Sequence, residues 1–334
     1  MNRVNEQRVT IRQVAQTAGV SIATVSRVFA GTTPVSDTLR QRVEEAARLL
    51  AYTPHEVARS LARGRTLIAA MLVPNLANPY VCGLIKRVLH EADRAGYRLI
   101  VADSDENDEI EFSLGVNLLQ RGDGLIVYAP RGDVETVEAL AEYGKPVVVL
   151  NRPVDTPNLS TVVVDEYHAM CQLAQHLADL GHRRVAYLHG PARSWRDAQR
   201  WRAVSGLSEQ GVEVTAIDSC GALRDGYDAV PTALAAGCTA VMAFDDLTAF
   251  GVLSGLRDHG LRVPEDVSVT GFGDVPLSRC VSPTLTGACG RQLEAGTAAW
   301  QSLASMLDGG PPGSRIVLRA EAMIRSSTAP PPTG

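Results

Sequence analysis

The sequence predicts a small all-α headpiece followed by a larger, two-lobed α/β domain built on parallel sheets. Three observations carry this. Between residues 10 and 50, apolar side chains recur at three- and four-residue spacing in short runs separated by turn residues. From Thr66 onward, β-rich apolar runs alternate with helical patterns. That alternation runs through two successive series, and two similar sheets imply two lobes.

The first helix begins at Thr10-Ile11-Arg12-Gln13, which has the form of a capping box: a hydroxyl at the N-cap and a Gln at N3 satisfy each other's backbone amides. Ile11, Val14, Ala15 and Ala18 form its apolar stripe, and Gly19 ends it by adopting a left-handed conformation. Val20 plugs the turn. Ser21 caps a second helix, Ile22 to Phe29, which turns Val25 and Val28 inward and leaves Ile22, Ala23, Thr24, Ser26 and Arg27 outside. Two short helices joined by a tight Gly-containing turn make a helix-turn-helix, whose second helix fits the DNA major groove.

A third helix from Ser36 to about Leu50 buries Leu39, Val43, Ala46, Ala47 and Leu50 and leaves Arg40, Arg42 and Arg48 for phosphates. The charge distribution agrees. Residues 1–65 hold ten arginines against five acids, although the whole chain carries a net charge of -5, so only this front end suits a polyanion. Tyr52-Thr53-Pro54 breaks the pattern. Residues 55–64 then form barely two helical turns, too few to stand alone in water.

The stretches VTIRQVAQTAGVSIATVSRVFAG, VSDTLRQRVEEAARLLAYTP and VARSLARGRT, contiguous over residues 9–66, resemble the DNA-binding headpiece and hinge of the LacI/GalR repressor family. The resemblance implies that Ile22, Ala23 and Arg27 read bases, that Thr10, Thr24, Ser26 and Arg59 contact phosphates or position the helix, and that the hinge folds only when two subunits meet on DNA. Leu61 occupies the position of the family's base-step wedge, and reads otherwise as a plain apolar contact with Val57 and Ala62.

The body's first series comprises runs at 67–73, 98–103 and 124–129 with helices near 80–95 and 108–121. The second has runs at 161–165, 184–190, 212–218, 240–244 and 267–272, with helices at 166–180, 197–210, 225–236 and 246–259. Ligands of open α/β sheets bind beyond the carboxyl ends of the strands, here the cleft between lobes. VPNLANPY, RGDGLIV, LGHRRVAYLHGPARSW and GLRVPEDVSVTGF extend the family resemblance to a periplasmic-binding-protein-like sensor domain. The expected organisation is a headpiece at 1–51, a hinge at 52–65, and a body at 66–334, with one lobe at about 66–162 and 288–318 and the other at about 163–287 and 319–328.

Carried over position by position, the effector contacts are Asn78, Tyr80, Asp165, Ser194, Trp195, Arg196, Arg200, Asp245, Asp246 and Asp274: carboxylates and guanidinium groups suited to a polar, sugar-like ligand. Asp165 and Asp246 read equally well as helix N-caps, and Trp195 either as a stacking wall or as an aromatic packed beside Trp201. Three departures bear on the ligand. Gly273 stands where relatives carry an aspartate, Gly287-Ala288-Cys289-Gly290-Arg291 replaces the usual crossover, and Gly221 lies near the place of an aromatic.

Hydrophobic residues make up 45% of the chain and charged residues 21%, the composition of an ordinary globular protein. Met1 to Val9 carries no apolar signal-peptide core and no uninterrupted apolar run reaches the length of a membrane span, so a cytoplasmic location is expected. Cysteines 82, 171, 220, 238, 280 and 289 form no C-x-x-C pair and read as reduced thiols. Nucleophile elbow, Walker, H-E-x-x-H and dinucleotide motifs are absent, so neither catalysis nor a cofactor or metal is expected. The expected partners are near-palindromic operator DNA, a small-molecule effector and a second copy of the chain. Helix 80–95 would supply the dimer surface, and the Pro-rich tail without heptads argues against a further tetramer.

Overall fold

The computed structural model describes residues 9–30, 35–52 and 65–332. The hinge pattern with Arg59 and Leu61 lies outside them. The chain divides into two units, one spanning residues 1–68 with 121–123 and the other 69–120 with 124–334.

Among the described residues of the first unit three helices form: α1 (Ile11–Ala18), α2 (Ile22–Ala30) and α3 (Asp37–Leu49). Gln13 Oε1 accepts from the Thr10 backbone at 2.7 Å and from its hydroxyl at 3.0 Å, and Gly19 ends α1 at φ 62°. Val14, Val25 and Val43 are fully buried, with Ala15, Ala18, Ala46 and Ala47 around them. Ile11, Val20, Val28, Phe29, Leu50 and Tyr52 pack on this core as partly buried residues. Leu39, expected inside, is half-buried. Within the same unit the Asp123 carboxylate accepts from the backbone amides of Thr66 and Leu67 and from the Thr66 hydroxyl, each at 2.8 Å.

The second unit runs β1 (Ile68–Val73), α4 (Pro79–Arg94), β2 (Arg98–Asp103), α5 (Asp108–Arg121), β3 (Gly124–Tyr128), α6 (Val134–Ala139), β4 (Val147–Leu150), β5 (Ser160–Asp165) and α7 (Tyr167–Asp179). It continues through β6 (Arg184–Leu188), α8 (Trp195–Ser205), β7 (Glu213–Ile217), α9 (Leu223–Asp228), α10 (Val230–Ala235), β8 (Ala240–Met242), α11 (Asp246–Asp258) and β9 (Ser268–Thr270). Last come β10 (Gly287–Cys289), α12 (Gln292–Leu307), β11 (Arg315–Arg319) and β12 (Glu321–Met323).

Two parallel sheets result, in the orders β11-β5-β4-β3-β1-β2 and β7-β6-β8-β9, with β10 and β12 paired antiparallel. Strands covered on both faces need unbroken apolar runs, and the fully buried Val147–Leu150 and Leu125–Tyr128 supply them. The run at 161–165 was expected to open the second sheet; instead it lies in the first, between β4 and β11. β4 is a further strand that the alternation did not resolve, and β11 arrives from about 150 residues downstream, so the partners of β5 are not local in sequence. The helix expected at 225–236 is two helices, because Pro231 supplies no amide to carry the ladder across the join. The helix expected at 197–210 starts earlier, where Ser194 Oγ accepts from Asp197 N at 3.3 Å, and becomes a 3-10 turn after Ser205.

The tail closes the second sheet. Val269 N donates to Ser327 O at 2.8 Å and Ala329 N to Ser268 Oγ at 3.0 Å. The buried His182 ring meets Thr239 Oγ1, Ser268 Oγ and Ala329 O within 3.1 Å.

Candidate nucleic-acid interface and effector cleft

Ser21 caps α2, accepting from Thr24 N at 3.1 Å and pairing with the Thr24 hydroxyl at 2.9 Å. With Val25 fully buried, the opposite face presents Ile22, 44% exposed, together with Ala23 and Arg27; Thr24 and Ser26 are half-buried at its edges. Thr10 is exposed at the start of α1, though its hydroxyl is directed to Gln13. Of the three α3 arginines expected to face phosphates, Arg40 and Arg48 are exposed. Arg42 is used internally: its Nη2 donates to Ala18 O at 2.7 Å and Gly19 O at 3.3 Å, satisfying carbonyls at the end of α1.

In the larger unit, the two lobes meet at the C-terminal ends of their strands. Asn78 caps α4, accepting from Tyr80 N at 2.9 Å, and its Nδ2 reaches across to Asp245 Oδ2 at 2.6 Å. Asp245 in turn caps α11 through Thr248 N and Oγ1, each at 2.9 Å. Arg193, in the turn before α8, joins Asp108 and Asp133 of the first lobe.

Between the lobes lies Arg196. Its Nε donates to Glu166 Oε1 at 2.9 Å and its Nη1 to the Tyr128 hydroxyl at 2.7 Å, and the guanidinium lies 5.3 Å from the centroid of the Tyr80 ring. Burial opposes its charge, but Glu166 and the two tyrosines more than offset that and hold the guanidinium above its ordinary range. Burial pushes the hydroxyls of Tyr80 and Tyr128 upward. Asn78, Tyr80, Arg196 and Asp245 line a cavity of only about 20 Å³, joined by Glu106 and Arg131. Arg131 pairs with Glu106 at 2.7 Å; burial raises that carboxyl and the guanidinium opposes the rise.

The remaining expected contacts stand elsewhere. Arg200 is fully buried behind the cleft, its guanidinium 3.9 Å from the Phe272 ring centroid and 4.5 Å from that of Phe244. Its Nε donates to Glu166 Oε2 at 2.9 Å and its Nη1 to Phe244 O. Asp165 holds the His168 ring at 2.7 Å at the start of α7. Asp246 does not cap α11; it accepts from Val275 N at 2.9 Å and Ser278 Oγ at 2.7 Å, fastening the turn after β9. Burial pushes the Asp246 carboxyl up to about 6 against those bonds. Asp274 lies between Arg279 and Arg325; burial would raise it, but the two guanidinium bonds bring it below its ordinary range. Ser194 and Trp195 line a separate, larger cavity on the second lobe.

Sequence reasoning missed Glu166, a fully buried acid bonded to two arginines, and it missed Glu106 and Arg131. The signal for Glu166 was available, because Arg196 and Arg200 are four apart on one helix and share a face that needs one anion. The glycine at 273 also has a local reason. A Cβ there would stand 3.3 Å from Tyr80 Cδ2 and 3.4 Å from Asp246 Oδ2, at a backbone φ of 138°. Among the described residues, no group of three or more His, Cys, Asp or Glu is arranged to hold a metal ion, and no helix is long and apolar enough to cross a membrane.

Residues 10–55 match the family model of bacterial regulatory proteins of the lacI family, and residues 174–328 match that of a periplasmic binding protein-like domain. The HTH-type transcriptional regulator MalR of Streptomyces coelicolor is 32% identical, over 96% of this chain and 97% of its own. The lac repressor dimer bound to operator and the anti-inducer ONPF superposes with a TM-score of 0.85 at 26% identity, over 97% of this chain and 100% of that one. A complex of the transcriptional regulator CelR with cellobiose superposes with a TM-score of 0.69 at 29% identity, over 96% and 100%. An exposed recognition helix on a three-helix core, a two-lobed sensor body and end-to-end likeness to transcriptional regulators converge: the chain belongs to the lacI family of bacterial regulatory proteins.

Proposed function

We propose that this regulator acts in the cytoplasm as a non-enzymatic, homodimeric repressor of a near-palindromic operator, and that a small polar, sugar-like effector in the cleft sets its operator affinity. Ile22, Ala23 and Arg27 face base edges, Arg27 by hydrogen bonding and the other two by apolar contact. Thr10, Ser21, Thr24 and Ser26 position α2, and Arg59 and Leu61 act from the hinge. The observation that carries this reading is the outward face of α2, where Ile22 stands exposed opposite a fully buried Val25. The outward face of α4, with Leu89 47% exposed, supports a dimer contact. The operator and cellobiose in the complexes of the lac repressor and CelR support the two ligand classes.

Asn78, Tyr80, Arg196 and Asp245 hold the effector, with Glu106 and Arg131 added. Arg200, Asp165, Asp246 and Asp274 shape the lobes from behind. A ligand that enters the cleft replaces the Asn78–Asp245 bond with bonds of its own, and so favours one lobe arrangement over the other by its difference in affinity.

Fluorescence anisotropy of the protein on its own upstream DNA, across a salt series, tests the reading. Saturable, sequence-selective binding with a steep salt slope, shifted by a carbohydrate, is the expected result. Equal affinity for random DNA would overturn it.

A further inference from the structure

The cleft cavity of about 20 Å³ holds one water-sized group. Beside it, on the second lobe, opens a cavity of about 1000 Å³ that has no role in the reading so far. Pro191 and Cys220 line both, so the two spaces adjoin. Next to Cys220, Gly221 is buried at φ 80°, and a Cβ there would meet Pro191 and Phe244 at 3.2 and 3.3 Å. The boundary at this point is the Gly221 backbone packed against the Pro191 and Phe244 side chains.

The cavity has a built aromatic floor. Trp201 lies 4.9 Å from the His189 ring and 5.7 Å from the Tyr187 ring, centroid to centroid. Asp197 fixes that group, accepting from Tyr187 Oη and His189 Nδ1 at 2.8 Å each and from Gly190 N at 2.9 Å. Trp195, half-buried at the first turn of α8, adds a second indole, so two of the three tryptophans of the chain line this space. Around them stand the exposed carboxylates of Asp218 and Asp228 and, from the first lobe, Arg152.

Indole faces pair with the C–H face of a pyranose, and carboxylates and a guanidinium at the rim suit the hydroxyls on its edge. We infer that the outer cavity is a second subsite, and that the effector is an oligosaccharide whose first ring enters the cleft by displacing the Asn78–Asp245 bond and whose further rings lie on Trp195 and Trp201. The volume is at the upper end of drug-sized ligand pockets, ample for more than one ring. This rests on the carbohydrate reading of the cleft and names the length of its ligand.

The test is calorimetry and intrinsic fluorescence of the full-length protein with glucose, cellobiose, maltose and their trisaccharides, with adenosine alongside. Trp195→Ala and Asp218→Asn are the variants, and retained operator binding shows that each is folded. A di- or trisaccharide is expected to bind about tenfold tighter than its monosaccharide, the scale of one stacked ring face. Trp195→Ala should remove that difference and leave monosaccharide affinity unchanged. Equal binding of short and long sugars, or a variant that weakens both alike, would overturn the second subsite and leave the cleft reading standing. Binding of adenosine alone, or of nothing in the set, would overturn both.

Discussion

The ring of Tyr80 occupies the space into which a side chain at Gly273 would project, with its Cδ2 3.3 Å from that position, and its hydroxyl donates to the carbonyl of Gly290. The family resemblance implies an aspartate where Gly273 stands. Here the cleft has an aromatic wall in place of that carboxylate, so the aspartate cannot simply be restored. Gly273→Asp is expected to lower stability by about 1–3 kcal/mol, because it strains a positive φ and sets a second carboxylate near Asp246. The shift of the urea midpoint measures this, and an unshifted midpoint would show that the ring moves freely.

Glu166 neutralises two buried guanidinium groups at once. Glu166→Gln keeps its volume and removes its charge, so Arg196 and Arg200 lose their shared anion. A loss of about 3–5 kcal/mol in urea unfolding is expected, the range for breaking a buried ion pair from one side. Replacing Arg196 alone should perturb stability less and effector binding more.

Two arginines of the headpiece should separate cleanly. Arg27→Ala removes an exposed side chain from α2, so unfolding should be unchanged while operator affinity falls by about 1–3 kcal/mol, most strongly at one base position. Arg42→Ala leaves Ala18 O without its donor and should lower headpiece stability by about 1 kcal/mol. Melting curves and anisotropy on the same preparations check both.

Two buried groups oppose each other in acid. Burial lowers His182, with the Ala329 carbonyl resisting, so its contribution to stability is present above about 6.5 and is lost as pH falls through its folded value. Asp246 is raised to about 6, so its contribution is complete below about 3.9 and is lost as pH rises through 6. Asp246→Asn should therefore steepen the loss of stability on acidification from pH 7 to 5, and His182→Gln should flatten it. Urea unfolding across that range reads both slopes, and parallel slopes in all three proteins would refute the assignment.

The headpiece was legible because its rules are local: Thr10 and Gln13 are three apart, and the turn at Gly19 needs only its own φ. The body was legible as a class but not as a topology. Nothing in TVVVD states which sheet it joins, since its neighbours β4 and β11 lie before it and far after it. Of the expected contacts, Asn78, Tyr80, Arg196 and Asp245 come together around one cavity. Asp165, the strand-ending acid, holds His168, while Glu166 one residue on, which the pattern did not single out, takes both guanidinium groups. Whether Asp246 caps a helix or fastens a turn depends on Ser278 and Val275, about 30 residues away.

β11 and the tail carry a consequence for how the chain is made. β5 pairs along its length with β11, and the second sheet takes Ser327 and Ala329 as its final edge partners. On a ribosome releasing the chain from its first residue, the three headpiece helices have every contact they need early. Both sheets of the body wait for residues 315–329. A nascent chain halted before Arg315 therefore presents β5 as a bare, β-branched edge, the kind of surface that recruits other strands. Termination before Arg315 should yield aggregates and degradation fragments rather than a shortened but working sensor.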